Sequence, residues 1–111
     1  MAKKNNLKRE RRTANRYFVK IPVVWENMVE QNAGTLSDIS LTGCFVLCKG
    51  MVSKGESVRL VLTNKKGKTM SLWSEVVNSW YEVGFAANFV EISDEEKHFL
   101  KDFIAYLDRL D

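Results

Sequence analysis

This sequence of 111 residues has little of what most catalytic and metal sites require. It contains one histidine, His98, and only two cysteines, Cys44 and Cys48. The cysteines fall four residues apart in one predicted strand, which puts their Cα atoms roughly 13 Å apart, too far for a disulfide. That spacing is not a zinc-ligand pattern either, and His98 has no accompanying nucleophile or acid that would indicate catalysis. We therefore expect no enzyme activity, no metal and no cofactor.

Long apolar runs are also missing. No segment approaches the roughly 18 consecutive apolar residues of a transmembrane helix. The N-terminus is basic but lacks the apolar region of a signal peptide, and the two cysteines fit a reducing compartment. We expect a soluble, cytoplasmic protein that does not insert into a membrane.

The charge is present but unevenly placed. Residues 1–12 hold six basic side chains and one acidic side chain, a net charge of +5. Since the whole sequence has a net charge of +3, the remaining residues have a net charge of −2. A basic segment attracts anions such as a nucleotide phosphate, a nucleic acid or an anionic membrane surface. We expect a flexible basic arm at residues 1–11 and a single domain at residues 12–111, whose 45% hydrophobic content supports one modest core.

Alternation of apolar and other residues predicts about six short strands between residues 16 and 90. The alternation is clear from Tyr17 to Trp25, where Pro22 indicates an edge or a bulge because it cannot donate a hydrogen bond. It recurs in the last strand, where Gly84 indicates a bulge or a close approach of backbone. Short strands at regular spacing are typical of a small closed or nearly closed antiparallel barrel.

The period then changes to that of a helix. Ser93 and Glu96 form a capping box at its start, and apolar residues follow at helical spacing as far as Leu110. We expect a C-terminal helix over about residues 93–110 that packs its apolar stripe on the sheet.

The first group of candidate ligand-binding residues is Arg12 and Arg16, with Arg11 as a further candidate. A guanidinium group is planar, binds phosphate through two parallel hydrogen bonds, and pairs with the O6 and N7 edge of guanine. Two arginines therefore suit a ligand that carries both phosphates and guanines.

The second group is Asp38, Ser40 and Gly43, in a predicted turn between two strands. The Asp38 carboxylate can accept hydrogen bonds from the N1–H and N2–H₂ groups of guanine, and the Ser40 hydroxyl can donate or accept. Gly43 would allow a positive φ angle or the close approach of a ligand. Taken alone, these residues also fit an ordinary polar turn.

The two groups together, in this order, resemble the signature of the PilZ domain family. The resemblance covers Arg11 to about Leu110, and Val83-Gly84-Phe85 resembles a late strand of the family. It implies a mainly β fold, a six-stranded antiparallel PilZ-type β-barrel with a C-terminal α-helix, that binds the bacterial second messenger cyclic di-GMP.

The resemblance also implies roles. Arg12 and Arg16 would grip phosphate and guanine, and Asp38 and Ser40 would contact a guanine. The ligand would bind as a single molecule or an intercalated pair, the arm would fold over it, and the changed surface would act on an unknown effector protein. Processes of the motility, biofilm or virulence type would be regulated in this way.

Two further aromatic residues are candidates for stacking on a base. Trp73 lies on the face of its strand opposite Leu72, which predicts exposure, and Trp80 is predicted in a turn. Covering the barrel or the helix is the alternative role for each.

Two other functions remain open. A protein-interaction adaptor on the same fold would use the helix end or the tryptophans and would not need the ligand. Nucleic-acid binding through the arm is disfavoured, because the basic residues are confined to the arm and no aromatic platform is evident.

Overall fold

The computed structural model describes residues 16–109, with side chains as far as Leu107. The elements, in chain order, are β1 (Tyr17–Glu26), β2 (Gln31–Ile39), β3 (Gly43–Leu47), β4 (Ser57–Thr63), β5 (Thr69–Trp80), β6 (Gly84–Phe89) and α1 (Asp94–Arg109).

The six strands form a closed barrel in the order β1-β2-β3-β6-β5-β4, and every neighbouring pair is antiparallel. The predicted six-stranded barrel with a C-terminal helix is confirmed. The barrel closes between β1 and β4, which pair only from Val24 to Glu26 on the β1 side. The N-terminal half of β1, including Pro22, therefore pairs with β2 alone, in agreement with the edge position predicted from Pro22.

Inward-facing apolar side chains from all six strands fill the interior of the barrel. Trp25 and Phe85 are its two largest fully buried side chains, and their rings meet edge to face at a centroid distance of 5.3 Å. Gly84, next to Phe85, lies where β6 approaches β3 so closely that a Cβ atom there would overlap the carbonyl oxygen of Val46. The predicted close approach of backbone at Gly84 is thus confirmed.

Helix α1 begins at the predicted capping box. The Ser93 hydroxyl accepts a hydrogen bond from the Glu96 amide at 3.1 Å, and the Glu96 carboxylate accepts one from the Ser93 amide at 3.0 Å. The apolar stripe of the helix joins the barrel core through five buried side chains, Phe99, Leu100, Phe103, Ile104 and Leu107. The helix contacts β1 and β5, the two strands on either side of β4.

The helix described here is too short and too polar to cross a membrane, and the described part of the chain contains no other helix.

Candidate functional site

The two described members of the predicted charged groups, Arg16 and Asp38, lie together on the outer wall of the barrel. Nη2 of Arg16 is 3.3 Å from Oδ1 of Asp38, and the exposed fractions of the two side chains are 44% and 14%. Arg16 immediately precedes β1, and Asp38 lies near the end of β2, directly opposite Phe18. The antiparallel pairing of β1 and β2 therefore brings together residues that are 22 positions apart in the chain.

The Asp38 carboxylate has unused capacity to accept hydrogen bonds. Its Oδ1 atom is buried and accepts no hydrogen bond from the described residues, because the approach of Arg16 has the distance of an ion pair without the geometry of a hydrogen bond. A buried acceptor without a donor is costly and uncommon. Asp38 is therefore the described group best suited to receive donors from a ligand.

Ser40 is buried, with 2% of its surface exposed, and its hydroxyl group organises the turn between β2 and β3. The Oγ atom accepts hydrogen bonds from the amides of Thr42 at 3.1 Å and Gly43 at 3.2 Å. It also lies 3.2 Å from the Thr42 hydroxyl and 3.3 Å from the Gly43 carbonyl oxygen, either of which can take its proton. Within the described structure Ser40 holds the loop that follows Asp38, and its predicted contact with a guanine stays a prediction.

The structure shows a reason for Gly43 that the sequence did not predict. Its φ angle is not positive, so the predicted left-handed conformation is wrong, and the close approach of a ligand stays a prediction. A Cβ atom at Gly43 would instead overlap the carbonyl oxygen of Ala87 and lie 3.0 Å from Oδ1 of Asn88. The crowding comes from β6, which pairs with β3 at this position.

Cys44 is buried in the barrel, close enough to Asp38 and Arg16 to be influenced by both charges. Complete burial, reinforced by the nearby negative charge of Asp38 and opposed by Arg16, raises the pKa of its thiol to about 12. Burial also raises the pKa of Cys48, which is only half-buried. Both cysteines are free thiols, as the spacing predicted.

An aromatic pair adjoins Asp38 on the same outer wall. Phe45 of β3 lies directly opposite Asp38, and its ring packs against the ring of Trp80 at a centroid distance of 5.5 Å. The prediction that Trp80 lies in a turn is wrong, because it is the last residue of β5 and pairs with Gly84. Phe45 carries no signal in the sequence, since only the register of β2 and β3 shows that it faces Asp38.

Trp73 lies in a different part of the wall. Its ring packs against the guanidinium of Arg59 at 5.6 Å, and Arg59 in turn forms an ion pair with Glu26 at 2.6 Å. Hydrogen bonds from Gln31 and from Arg59 lower the pKa of Glu26. Trp73 is half-exposed, as predicted, but its partners belong to β1 and β4 and not to the surroundings of Asp38.

The remaining predicted residues divide into two cases. Arg11 and Arg12 lie outside the described residues. His98 is exposed on α1 and lies 3.5 Å from Asp102, one helical turn away. Across residues 16–109 there is no cluster of three or more histidine, cysteine or acidic side chains that could hold a metal ion.

An open groove of about 510 Å³ begins at Arg16. It is lined by residues 16–21 and, from the last turns of α1, by Leu107. The groove runs along the half of β1 that has no partner on the β4 side.

Together these features define a small barrel domain whose charged and aromatic side chains collect on the outer wall, around the ends of β1 and β2. The family model for the PilZ domain matches residues 10–106. The chain belongs to the PilZ domain family.

Solved structures with the same fold support this assignment. The PilZ domain of YcgR from Escherichia coli, solved with c-di-GMP, superposes with a TM-score of 0.73 at 13% identity, over 89% of this chain and 92% of that one. MotI/DgrA, the inhibitor of motility from Bacillus subtilis, gives a TM-score of 0.71 at 20% identity, over 89% of this chain and 50% of that one. This chain thus spans about half the length of MotI/DgrA. The PilZ domain of CeSA from a cellulose-synthesizing bacterium gives 0.67 at 15% identity, over 83% and 97% of the two chains. A search of curated proteins finds no match.

Proposed function

We propose that this protein is a receptor for cyclic di-GMP and that it binds the dinucleotide on the outer wall of the barrel around Asp38. The observation that carries the proposal is the pairing of Arg16 with Asp38, whose buried Oδ1 accepts no hydrogen bond from the described residues. A cation and an unsatisfied carboxylate, side by side on a rigid wall, match a ligand that carries both anionic and donor groups.

Guanine supplies the donors. Its N1–H and N2–H₂ groups lie side by side and point in the same direction, so both can donate to one carboxylate, and Asp38 provides the two acceptor oxygens. Adenine has no such pair of adjacent donors. The same carboxylate would therefore discriminate between the two purines, since a polar group left unpaired in a binding site costs much affinity.

The arginines supply the phosphate contacts. Arg16 is fixed at the start of β1 and can bind a phosphate oxygen, or the O6 and N7 edge of guanine, through its planar guanidinium group. Arg12 lies four residues earlier in the chain and would add a second guanidinium group from the segment that precedes β1. A ligand that contacts both Arg16 and Asp38 must bridge the two side chains or separate them. Because Arg16 lies just before β1, binding would therefore rearrange the chain where it enters the barrel.

Phe45 and Trp80 would supply the stacking surface. They pack together beside Asp38, and Trp80 keeps 46% of its surface exposed. Stacking of a base on an aromatic ring contributes about 1–3 kcal/mol.

The comparisons support the ligand and the class of function. The structures of YcgR and of Borreliella burgdorferi PlzA that share this fold were solved in complex with c-di-GMP. We propose a receptor without enzymatic activity or cofactor, which acts on an effector protein when the arm orders over the ligand. Because MotI/DgrA, which shares this fold, is an inhibitor of motility, we propose motility as the regulated process.

Isothermal titration calorimetry of the full chain with cyclic di-GMP tests the proposal. We expect saturable binding, at least about 100-fold weaker binding of cyclic di-AMP, and loss of affinity in Asp38→Ala. The stoichiometry distinguishes a single ligand from an intercalated pair. Glu26→Ala is the matched control, because it removes the carboxylate of the other ion pair on the wall. Absence of binding by the folded wild type, or equal affinity for the two dinucleotides, would refute the proposal.

A protein-interaction adaptor that does not need the ligand is the second candidate. The observation that favours it is a group of exposed apolar side chains around the β5–β6 turn, formed by Leu47, Tyr81 and Val83; Leu47 and Trp80 both pair with Gly84. Contiguous exposed apolar surface is typical of protein contacts. A partner that binds equally well with and without cyclic di-GMP, and equally well to Asp38→Ala, would support this candidate over the first.

A further inference from the structure

Phe18 lies on the outer wall beside the proposed ligand site, next to Asp38. The register of β1 and β2 places it directly opposite Asp38. Directly opposite residues of an antiparallel pair project from the same face, with Cβ atoms about 4.5–5.5 Å apart. Since β3 pairs with the other side of β2, Asp38 has Phe18 on one side and Phe45 on the other.

Phe18 is unusually exposed for an aromatic residue of a strand. It shows 84% of its surface to solvent, whereas Phe45, across Asp38, is half-buried against Trp80. None of the ring–ring and cation–ring contacts found among the described residues involves Phe18. A single exposed apolar residue is common on protein surfaces. What distinguishes Phe18 from other exposed apolar residues is its position beside Asp38.

The local backbone supports a special role for this position. The pairing of β1 with β2 is irregular between Phe18 and Ile21, immediately after the Phe18–Asp38 pair. Irregularities of this kind bend a strand, increase its twist and re-orient a side chain, and they are frequent beside binding sites. Phe18 and Ile21, on either side of the irregularity, both line the groove that begins at Arg16.

We infer that Phe18 is an additional ligand-binding residue, and that its ring stacks on the guanine whose edge Asp38 holds. The inference rests on the proposed function. A base that donates to a carboxylate lies roughly in the plane of that contact, so its faces point toward the neighbouring strands. Phe18 is the side chain that stands on the β1 side, and its ring is free to cover the base and to be buried by it.

Calorimetry on four variants of the full chain tests the inference. Phe18→Ala should weaken the binding of cyclic di-GMP about tenfold, corresponding to about 1.4 kcal/mol. Phe18→Leu should lose most of the same affinity because it lacks a ring, and Phe18→Trp should retain the wild-type affinity. Met28→Ala is the matched control, since Met28 is equally exposed but lies in the turn at the far end of β1. The midpoints of urea unfolding of all four variants should equal that of the wild type, because neither Phe18 nor Met28 is buried.

The outcomes separate this inference from the proposed function. If wild type and Phe18→Ala bind equally well while Asp38→Ala does not bind, the role of Phe18 is refuted and the receptor function stands. If Phe18→Leu binds like the wild type, stacking is refuted. If the wild type does not bind cyclic di-GMP, the proposed function fails and this inference fails with it. A loss in Phe18→Ala that Phe18→Trp restores supports the inference.

Discussion

Arg16 meets Asp38 across the first two strands, with 3.3 Å between Nη2 and Oδ1. A second ion pair, between Arg59 and Glu26, lies on the same barrel wall at 2.6 Å. The second pair is the shorter one, and its arginine donates two hydrogen bonds to one carboxylate oxygen. The longer pair is the one whose partners remain available to a ligand.

Arg16→Lys should weaken cyclic di-GMP binding by about 10-fold or more, although it keeps the positive charge. A lysine is a point charge and cannot make the two parallel hydrogen bonds of a guanidinium, and each charged hydrogen bond is worth about 1.5–3 kcal/mol. The measurement is calorimetry, with Arg59→Lys as the control that should leave affinity unchanged. Equal affinities of Arg16→Lys and the wild type would show that Arg16 acts through its charge alone.

Ser40→Ala should lower the free energy of unfolding by about 1–3 kcal/mol, because it leaves the amides of Thr42 and of the buried Gly43 without an acceptor. Ser74→Ala is a matched control in the same core. Ser74 is equally buried, but its hydroxyl makes no hydrogen bond with the described residues, so its removal should be neutral or slightly stabilising. Urea unfolding measures both. Equal losses in the two variants would contradict the assigned role of Ser40.

Gly43→Ala should destabilise the fold by about 3 kcal/mol, because its new Cβ must push β3 away from the backbone of β6. Gly55→Ala provides the comparison. No atom lies within 4 Å of a Cβ at Gly55, and only its positive φ of 91° is unfavourable, which costs about 1 kcal/mol. Thermal or urea unfolding ranks the two, and a smaller loss at Gly43 than at Gly55 would contradict the packing argument.

Trp80→Ala should weaken cyclic di-GMP binding about tenfold through lost stacking, whereas Trp73→Ala should leave it unchanged. The reason is position: Trp80 packs on Phe45 beside Asp38, and Trp73 packs on Arg59. Calorimetry on the two variants gives the answer. The reverse ranking would place the ligand on the β4–β5 side of the wall.

The buried thiol of Cys44 should make the fold sensitive to alkali. Its pKa is raised to about 12 in the folded protein from an ordinary value of 9.0, so the unfolded chain loses this proton first. The stability that this group contributes is complete below pH 9 and is lost as the pH rises toward 12. Between pH 8 and pH 10 the loss should be about 1.4 kcal/mol.

Urea unfolding of the wild type and of Cys44→Ala at the two pH values measures this difference. Cys44→Ala should lose less stability over the interval. At pH 8, Cys48 should react with a thiol reagent well before Cys44, because it is half-buried and Cys44 is completely buried. Simultaneous reaction of the two thiols in the folded protein would contradict the burial of Cys44.

The sequence predicted the barrel, the helix and its cap because each depends on local periodicity or on a short motif. It also predicted Asp38 as a site residue from a motif of six residues. Among the aromatic neighbours of Asp38, Trp80 was a candidate, but Phe18 and Phe45 could not be found in this way, because the three residues come from three different strands.

The register of the strands explains why the sequence did not indicate these two phenylalanine residues. Irregularities between Phe18 and Ile21, between Leu36 and Asp38, and between Val76 and Asn78 shift the pairing of strands. Each shift moves side chains relative to those of the next strand, and no pattern in the sequence marks them. The reason for Gly43 was missed for the same cause, since the carbonyl that excludes a side chain belongs to β6, more than 40 residues later.

The incomplete pairing of β1 with β4 also has a consequence for solubility. A strand with an open side is a template for pairing with another chain. In this barrel the charged Lys20 and the missing N–H of Pro22 make the open side a poor template, and Leu107 of α1 lies along it. The C-terminal helix thus covers part of the open side, and we expect loss of its last turns to favour self-association.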